Sequence, residues 1–193
     1  MGATRRSRPG TGIALRGRMP KSSGMFFVRI GGLSIISMVL LVAAWSPAAA
    51  SCTDPPGPGV NWQRCAMDGL DLRGLNLSGA RLRDGSFFRA DLTGSDLSES
   101  ESFKVKFVNA TMLDAVLDGA KLYEADLTKA DLTGASLVGT DLRRARLYRT
   151  ILRNANLTDA RLTGADLTRA DLSGATWTNG DHVCAEGSIG RCN

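Results

Sequence analysis

The sequence predicts an all-β solenoid that occupies more than half of the chain. From Met67 to Trp177 it repeats every five residues without insertion or deletion, in segments such as ADLTG, ADLTK and ANLTD. We call Met67 and every fifth residue after it, up to Trp177, the centre positions of the repeats. Of these 23 residues 17 are Leu, and 14 of the residues two before a centre are Ala. A fixed period over this length is typical of a coil in which each repeat packs only on its neighbours.

A period of five excludes the two commonest elements. Apolar residues on an α-helix recur every 3.6 residues, so a five-residue repeat would wander around its surface. A flat strand has a period of two, and an odd repeat would change its buried face. The Ala and Leu positions are two residues apart, so they fit one short extended segment with both side chains inward. The intervening Asp or Asn then points outward, and the following Thr-Gly or Ser-Gly turns the corner.

The charged residues predict four such sides per coil. At a spacing of 20 residues, outward positions alternate in sign, as expected if neighbouring coils pair at strand spacing and opposite charges attract. Asp71 and Asp91 break this rule. The three alternating columns are Arg81, Glu101, Lys121, Asp141 and Arg161; Asp84, Lys104, Glu124 and Arg144; and Lys106, Asp126, Arg146 and Asp166.

The A(D/N)LxG repetition resembles the pentapeptide repeat family over about 115 of the 193 residues. The resemblance implies a right-handed quadrilateral β-helix with about 20 residues per coil, in agreement with the charge columns. Nearly six coils would form a rod on the order of 28 Å long. The resemblance also implies a second possibility for function, since the best-known activity of the family is to bind DNA gyrase by resembling DNA.

The segment before the repeats predicts export. Residues 30–45 are uncharged and mostly apolar, follow several Arg and Lys residues, and lead into Ala48 and Ala50. This arrangement is typical of a signal peptide, here residues 1–50 with cleavage after Ala50, and of a secreted or periplasmic protein. An uncleaved membrane anchor is the alternative, although the run is shorter than the about 20 residues of a membrane span. Translation could also start at Met19 or Met25.

The basic pI belongs to that segment. It contains seven of the 24 basic residues and none of the 19 acidic ones, so the chain from Ser51 has a net charge of −2. No nucleic-acid partner is expected at this charge. If the chain were not exported, the gyrase-binding hypothesis would regain weight.

Four cysteines bracket the coil, and their even number in an exported chain predicts disulfides. Nearest-neighbour pairs, Cys52 with Cys65 and Cys184 with Cys192, would staple caps at residues 51–66 and 180–193 around a coil at 67–179. Such caps would block the exposed strand edges at the ends. Because Ala49-Ala50-Ser51-Cys52 resembles a lipoprotein cleavage box, a lipidated Cys52 remains an alternative.

The sequence contains no catalytic constellation, so no enzyme activity, cofactor or metal is expected. His182 is the only histidine and falls in the C-terminal cap. The many Asp residues occupy the outward repeat position, where solvation and turn formation explain them.

Two departures from the repeat are informative. Ser102 replaces a centre Leu, so either Ser102 faces the core or the chain slips and Phe103 does. Outside the core, one outward column combines aromatic and cationic residues, which are common at contact sites, although a cross-strand pair is the simpler interpretation. We therefore predict a non-catalytic, exported interaction module that binds an unknown protein or glycan in the cell envelope. Its candidate binding residues are Arg83, Phe103, Tyr123 and Arg143.

Overall fold

A computed structural model describes residues 51–193. The predicted signal peptide, its apolar run and its cleavage site up to Ala50 lie outside these residues. Parallel β-bridges join residues 20 apart, beginning with Asn61 and Arg81 and ending with Asn156 and Thr176. Twenty residues therefore complete one coil. The part of the chain that the structure describes contains no helix, and each bridged strand is one residue long.

Each coil has four sides of five residues. Side 1 comprises 60–64 and every segment 20 residues later, through 160–164; side 2 starts at 65, side 3 at 70 and side 4 at 75. The bridged residue of each segment points outward and lies directly above its counterpart in the next coil, as Arg81, Glu101 and Lys121 do. Sides 1 and 3 are therefore opposite, as are sides 2 and 4.

A tight turn forms every corner. The N–H of Ala80 donates to the carbonyl of Leu77 at 3.0 Å, and Gly79 between them has a φ of 63°. Glycine accepts a positive φ without strain. At the same corner position, however, 14 non-glycine residues have a φ between 53° and 60°. The pairing of every coil with the next holds them in this uncommon conformation.

The outward Asp and Asn residues hold these turns. Asp91 Oδ1, for example, accepts from the N–H of Thr93 at 3.0 Å and from its hydroxyl at 2.6 Å. Asp131 and Asn156 do the same with the Thr two residues later. The repeat thus selects Asp or Asn because a short side-chain acceptor satisfies a turn N–H.

The core consists of stacked centre residues and stacked small residues. Phe87 and Phe107 are fully buried and lie with ring centroids 5.2 Å apart. Ser102 is also fully buried, and its N–H donates to the Lys121 carbonyl at 3.1 Å, in the regular register. The chain does not slip at this position, so Phe103 points outward.

The charge columns form ion pairs between coils. Lys121 lies 3.4 Å from Glu101, Lys104 lies 3.5 Å from Glu124, and other pairs follow the same pattern. The unfavourable stack of Asp71 on Asp91 is relieved by Arg73, which contacts Asp71 at 2.6 Å and Asp91 at 3.6 Å. The hydrogen bond from Arg73 lowers the pKa of Asp71 to about 2. The positive charge between the two stacked acids is therefore supplied by Arg73, which belongs to a neighbouring column.

The coil begins earlier than the boundary at Met67 that the sequence predicted. Asn61 and Ala66 already bridge to the next coil, and Trp62 is a buried centre residue. The N-terminal cap is correspondingly short. It is held by the Trp62 indole N–H, which donates to the Asp54 carbonyl at 3.2 Å, and by Cys52 and Cys65, whose sulfur atoms are 2.03 Å apart.

The C-terminal cap covers only part of the last coil. Val183 and Ile189 pair antiparallel with Thr176 and Asp171, which belong to sides 4 and 3. Cys184 and Cys192 lie at bonding distance within this cap. On sides 1 and 2 the last centre residues, Leu162 and Leu167, are only partly buried because no further chain packs on them. Within residues 51–193, no helix is long and apolar enough to cross a membrane.

A candidate contact surface on side 1

The four candidate residues form one continuous stack on side 1. Phe103 and Tyr123 lie in adjacent coils with ring centroids 5.5 Å apart and planes 8° from parallel. Arg83 lies 5.5 Å from the Phe103 ring centroid, and Arg143 lies 5.5 Å from that of Tyr123. Two aromatic rings are therefore enclosed between two guanidinium groups, with cation–π contacts at both ends.

A second cationic column flanks this stack. Lys104 lies 5.0 Å from the centroid of Phe103, and Arg144 donates to the Tyr123 hydroxyl at 2.8 Å. Glu124 holds both cations in place, at 3.5 Å from Lys104 and 3.7 Å from Arg144. Each ring thus has two cationic neighbours. In the sequence, the alternating signs of Lys104, Glu124 and Arg144 indicated only the number of sides, although their position one residue after the stack could have indicated this role.

Arg143 is also fixed by a carboxylate on its own side. Its Nε donates to Asp141 Oδ1 at 2.8 Å, and its Nη2 donates to Oδ2 at 2.6 Å. This two-point hydrogen bond lowers the pKa of Asp141 and raises that of Arg143. The guanidinium is therefore oriented before any partner arrives, which reduces the conformational entropy that binding would cost.

The structure adds two details to the predicted outward column of aromatic and cationic residues. Phe103 and Tyr123 are half-buried rather than exposed, because each covers one face of the other. Side 1 is also not the only side with outward aromatic residues. On side 2, Phe88 and Tyr148 lie 4.8 Å and 5.4 Å from Arg89 and Arg149, but three coils separate these rings.

The other titratable residues of the described chain lie along the outer surface and in the C-terminal cap. His182 is exposed in the cap, and its carbonyl accepts from the Trp177 N–H at 2.6 Å. Among residues 51–193, no group of three or more His, Cys, Asp or Glu side chains could hold a metal ion. The main feature of these residues is therefore a shaped, charged outer surface.

The coil defines a class of protein: a β-solenoid of five-residue repeats. The family model of pentapeptide repeats matches eight copies, at residues 104–134, 112–147 and 140–177. The chain belongs to the pentapeptide repeat family, and its fold is the right-handed quadrilateral β-helix of that family.

Several solved structures are similar. HetL, a pentapeptide repeat protein involved in heterocyst differentiation regulation from the cyanobacterium Nostoc sp. strain PCC 7120, is 36% identical with a TM-score of 0.53. The match covers 64% of this chain but only 58% of HetL.

Two further structures match with TM-scores below 0.5. QnrB1, a plasmid-mediated fluoroquinolone resistance protein, is 22% identical over 61% of this chain and 58% of its own, with a TM-score of 0.36. A pentapeptide repeat protein from the Arabidopsis thaliana thylakoid lumen is 26% identical over 58% and 68%, with a TM-score of 0.35. No curated protein matches the sequence.

Proposed function

We propose that this protein is an exported, non-catalytic interaction module whose contact surface is the stack of Arg83, Phe103, Tyr123 and Arg143. The observation that carries the proposal is the continuous Arg–Phe–Tyr–Arg stack with its second cationic flank. Aromatic and Arg residues dominate the binding energy of protein interfaces, and rigid ones lose little entropy on binding.

The chemistry of the surface suggests the kind of partner. Side 1 has more cations than acids, and its two half-buried rings lie among cationic side chains. Such a surface suits a protein or glycan that carries carboxylates next to an apolar patch. Export is supported by the signal-like segment before Ser51 and by the two cysteine pairs at bonding distance, which are compatible with an oxidising compartment.

The proposal and the simpler structural interpretation predict different behaviour for a Phe103→Ser, Tyr123→Ser double variant. If the stack is a contact surface, the variant should melt close to the parent but lose a partner in a pull-down from the cell envelope. Truncating aromatic anchors costs about 1 kcal/mol or more each at an interface. A Phe88→Ser, Tyr148→Ser variant is a matched control, because it removes two outward aromatic residues of the same types from side 2.

Retention of every partner together with a lower melting temperature would contradict the proposal. The two rings would then be a cross-strand pair that only stabilises the coil. The control variant makes this outcome interpretable, since a partner lost by both variants would reflect general damage to the coil.

A further inference from the structure

The four sides of the coil divide its charge unequally. Residues 61–179 contain 16 basic and 16 acidic residues, so the coil as a whole is neutral. Sides 1 and 2 together hold 14 of the basic and seven of the acidic residues, whereas sides 3 and 4 hold two basic and nine acidic residues. The coil is therefore strongly basic on one half of its circumference, at +7, and equally acidic on the other, at −7.

The basic half contains a ridge of cations at the end of side 2 that contact aromatic rings in two coils but form no ion pair among residues 51–193. Successive coils place there Arg89, Asn109, Lys129, Arg149 and Arg169, all with positive φ. No carboxylate lies within ion-pair distance of these four cations in residues 51–193, although Asp91 and Asp171 lie around the corner. Arg73 and Arg153 occupy those two acids instead, at 3.6 Å and 2.6 Å.

This ridge is an exception to the alternation of positive and negative charge in the other columns. Neighbouring charges on sides 1 and 2 otherwise alternate in sign, which stabilises the coil. Lys129, Arg149 and Arg169 stack three like charges in consecutive coils, which is unfavourable in an isolated molecule. An acidic surface from another molecule would remove this repulsion.

The opposite side carries the complementary charge. Side 4 contains Asp96, Glu99, Asp118 and Asp159 and no Lys or Arg in any coil. Glu99 and Asp159 are exposed at its corner, again with positive φ. Glu99 and Asp159 are three coils apart, as are Arg89 and Arg149, and both pairs occupy the last corner of their side. An antiparallel neighbour would therefore bring the two pairs of opposite charges face to face at the same spacing of about 14 Å.

We propose that copies of this protein associate side by side, with the cationic ridge of side 2 against the acidic side 4 of the next copy. An anionic surface of another kind would use only the basic half, whereas a second copy of this chain matches both halves. Because the two surfaces differ, each added copy presents a fresh surface, and the assembly is open-ended rather than a closed dimer.

The flat sides limit the strength of this association. A side about 29 Å long and about 10 Å wide offers on the order of 300 Å², well below the about 800 Å² per partner of a stable complex. The association is therefore weak, reversible and driven by charge. High salt should screen the attraction between the charged sides almost completely, because the Debye length is only about 3 Å at 1 M.

Sedimentation velocity of the native protein at increasing concentration tests this inference. In about 10 mM salt, where the Debye length is about 30 Å, the protein should form species larger than a monomer. Raising the salt to about 1 M should weaken association at least about tenfold. A protein that stays monomeric at low salt, or associates equally in high salt, would overturn the proposal.

Charge-reversed variants identify the surfaces. Lys129→Glu with Arg149→Glu makes the ridge acidic, and Glu99→Lys with Asp159→Lys makes side 4 basic. Glu and Lys already occupy this corner position with positive φ at Glu124 and Lys104, so the variants should fold. Each variant alone should be monomeric at low salt, but an equimolar mixture of the two should form a complex.

A matched control keeps the charge of every side. Exchanging the paired residues of side 3, Asp71→Arg with Arg73→Asp, keeps the charge of that side, places a cation over Asp91 and should leave association intact. Association that survives either ridge or side 4 reversal would contradict the inference. So would a monomeric protein whose ridge binds vesicles of anionic lipid, because a membrane would then be the partner. None of these substitutions touches the aromatic stack, so the outcome is independent of the proposed function.

Discussion

Ser102 shows how one buried polar residue is accommodated in an apolar column. Its hydroxyl lies 2.9 Å from that of Ser100, and both side chains are fully buried. Ser100 occupies the small position and Ser102 the centre of the same segment, so the two inward hydroxyls satisfy each other. A buried hydroxyl without a partner would cost about 1–3 kcal/mol. The departure from the repeat is therefore a pair of residues rather than one.

The contact between Ser100 and Ser102 predicts what happens when a leucine fills this layer of the core. Ser102→Leu with Ser100→Ala restores the Leu and Ala stacks between Leu82 and Leu122, and should stabilise the protein by about 1.5–3 kcal/mol. Ser102→Leu alone should gain less, because it leaves the Ser100 hydroxyl buried without its partner. Thermal and urea unfolding measure both variants. A double variant that melts below the parent would show that the layer has no room for Leu.

The caps are the elements on which the ends of the coil depend. On side 3, the N–H groups of Leu172 and Gly174 donate to the carbonyls of Ser188 and Cys184, at 2.8 Å and 2.9 Å. The C-terminal cap thus continues the pairing that a further coil would supply. Sides 1 and 2 lack this continuation, so the cap stabilises half of an exposed β-edge.

Removing the C-terminal cysteines should loosen this end alone. Cys184→Ala with Cys192→Ala is expected to cost on the order of 2–3 kcal/mol, by the chain-entropy argument for a short loop. Amide exchange should accelerate at Leu172 and Gly174 and stay unchanged at Leu132 in the middle of the coil, since repeats contact only their neighbours. Cys52→Ala with Cys65→Ala is the matched control, which should spare the C-terminal end. Free thiols in peptide maps of the parent protein would contradict the premise.

At the scale of the whole molecule, the cellular compartment of the protein determines which functions it can have. We expect the native protein to begin at Ser51, because the apolar run and Ala48-x-Ala50 form a signal-like segment. Mass spectrometry of the purified protein measures this directly. An intact N-terminus in a soluble cytoplasmic fraction would contradict export and would revive the gyrase-binding hypothesis. A lipidated Cys52 would instead make the protein a lipoprotein, and Cys65 would then lack its disulfide partner.

The sequence by itself determined the coil. The unbroken period of five specified which residues face inward, and the alternating charges specified four sides, because coils at strand spacing bring residues 20 apart into contact. The four candidate residues were found in the same way, since Arg83, Phe103, Tyr123 and Arg143 share a column. Residues related by a simple repeat become neighbours without any knowledge of the remaining structure.

Only the tertiary structure decided the features that depend on contacts between columns or on side-chain direction. Arg73 joins Asp71 to Asp91, Lys104 approaches Phe103, and Ser100 meets Ser102, although none of these contacts follows from the 20-residue spacing alone. The sequence also left the register at Ser102 undetermined, because it is compatible both with a serine in the core and with a one-residue slip. Long side chains reach beyond their own column, and their partners depend on the three-dimensional surface. The repeat therefore specifies the backbone, and the folded surface specifies which charges remain free to bind.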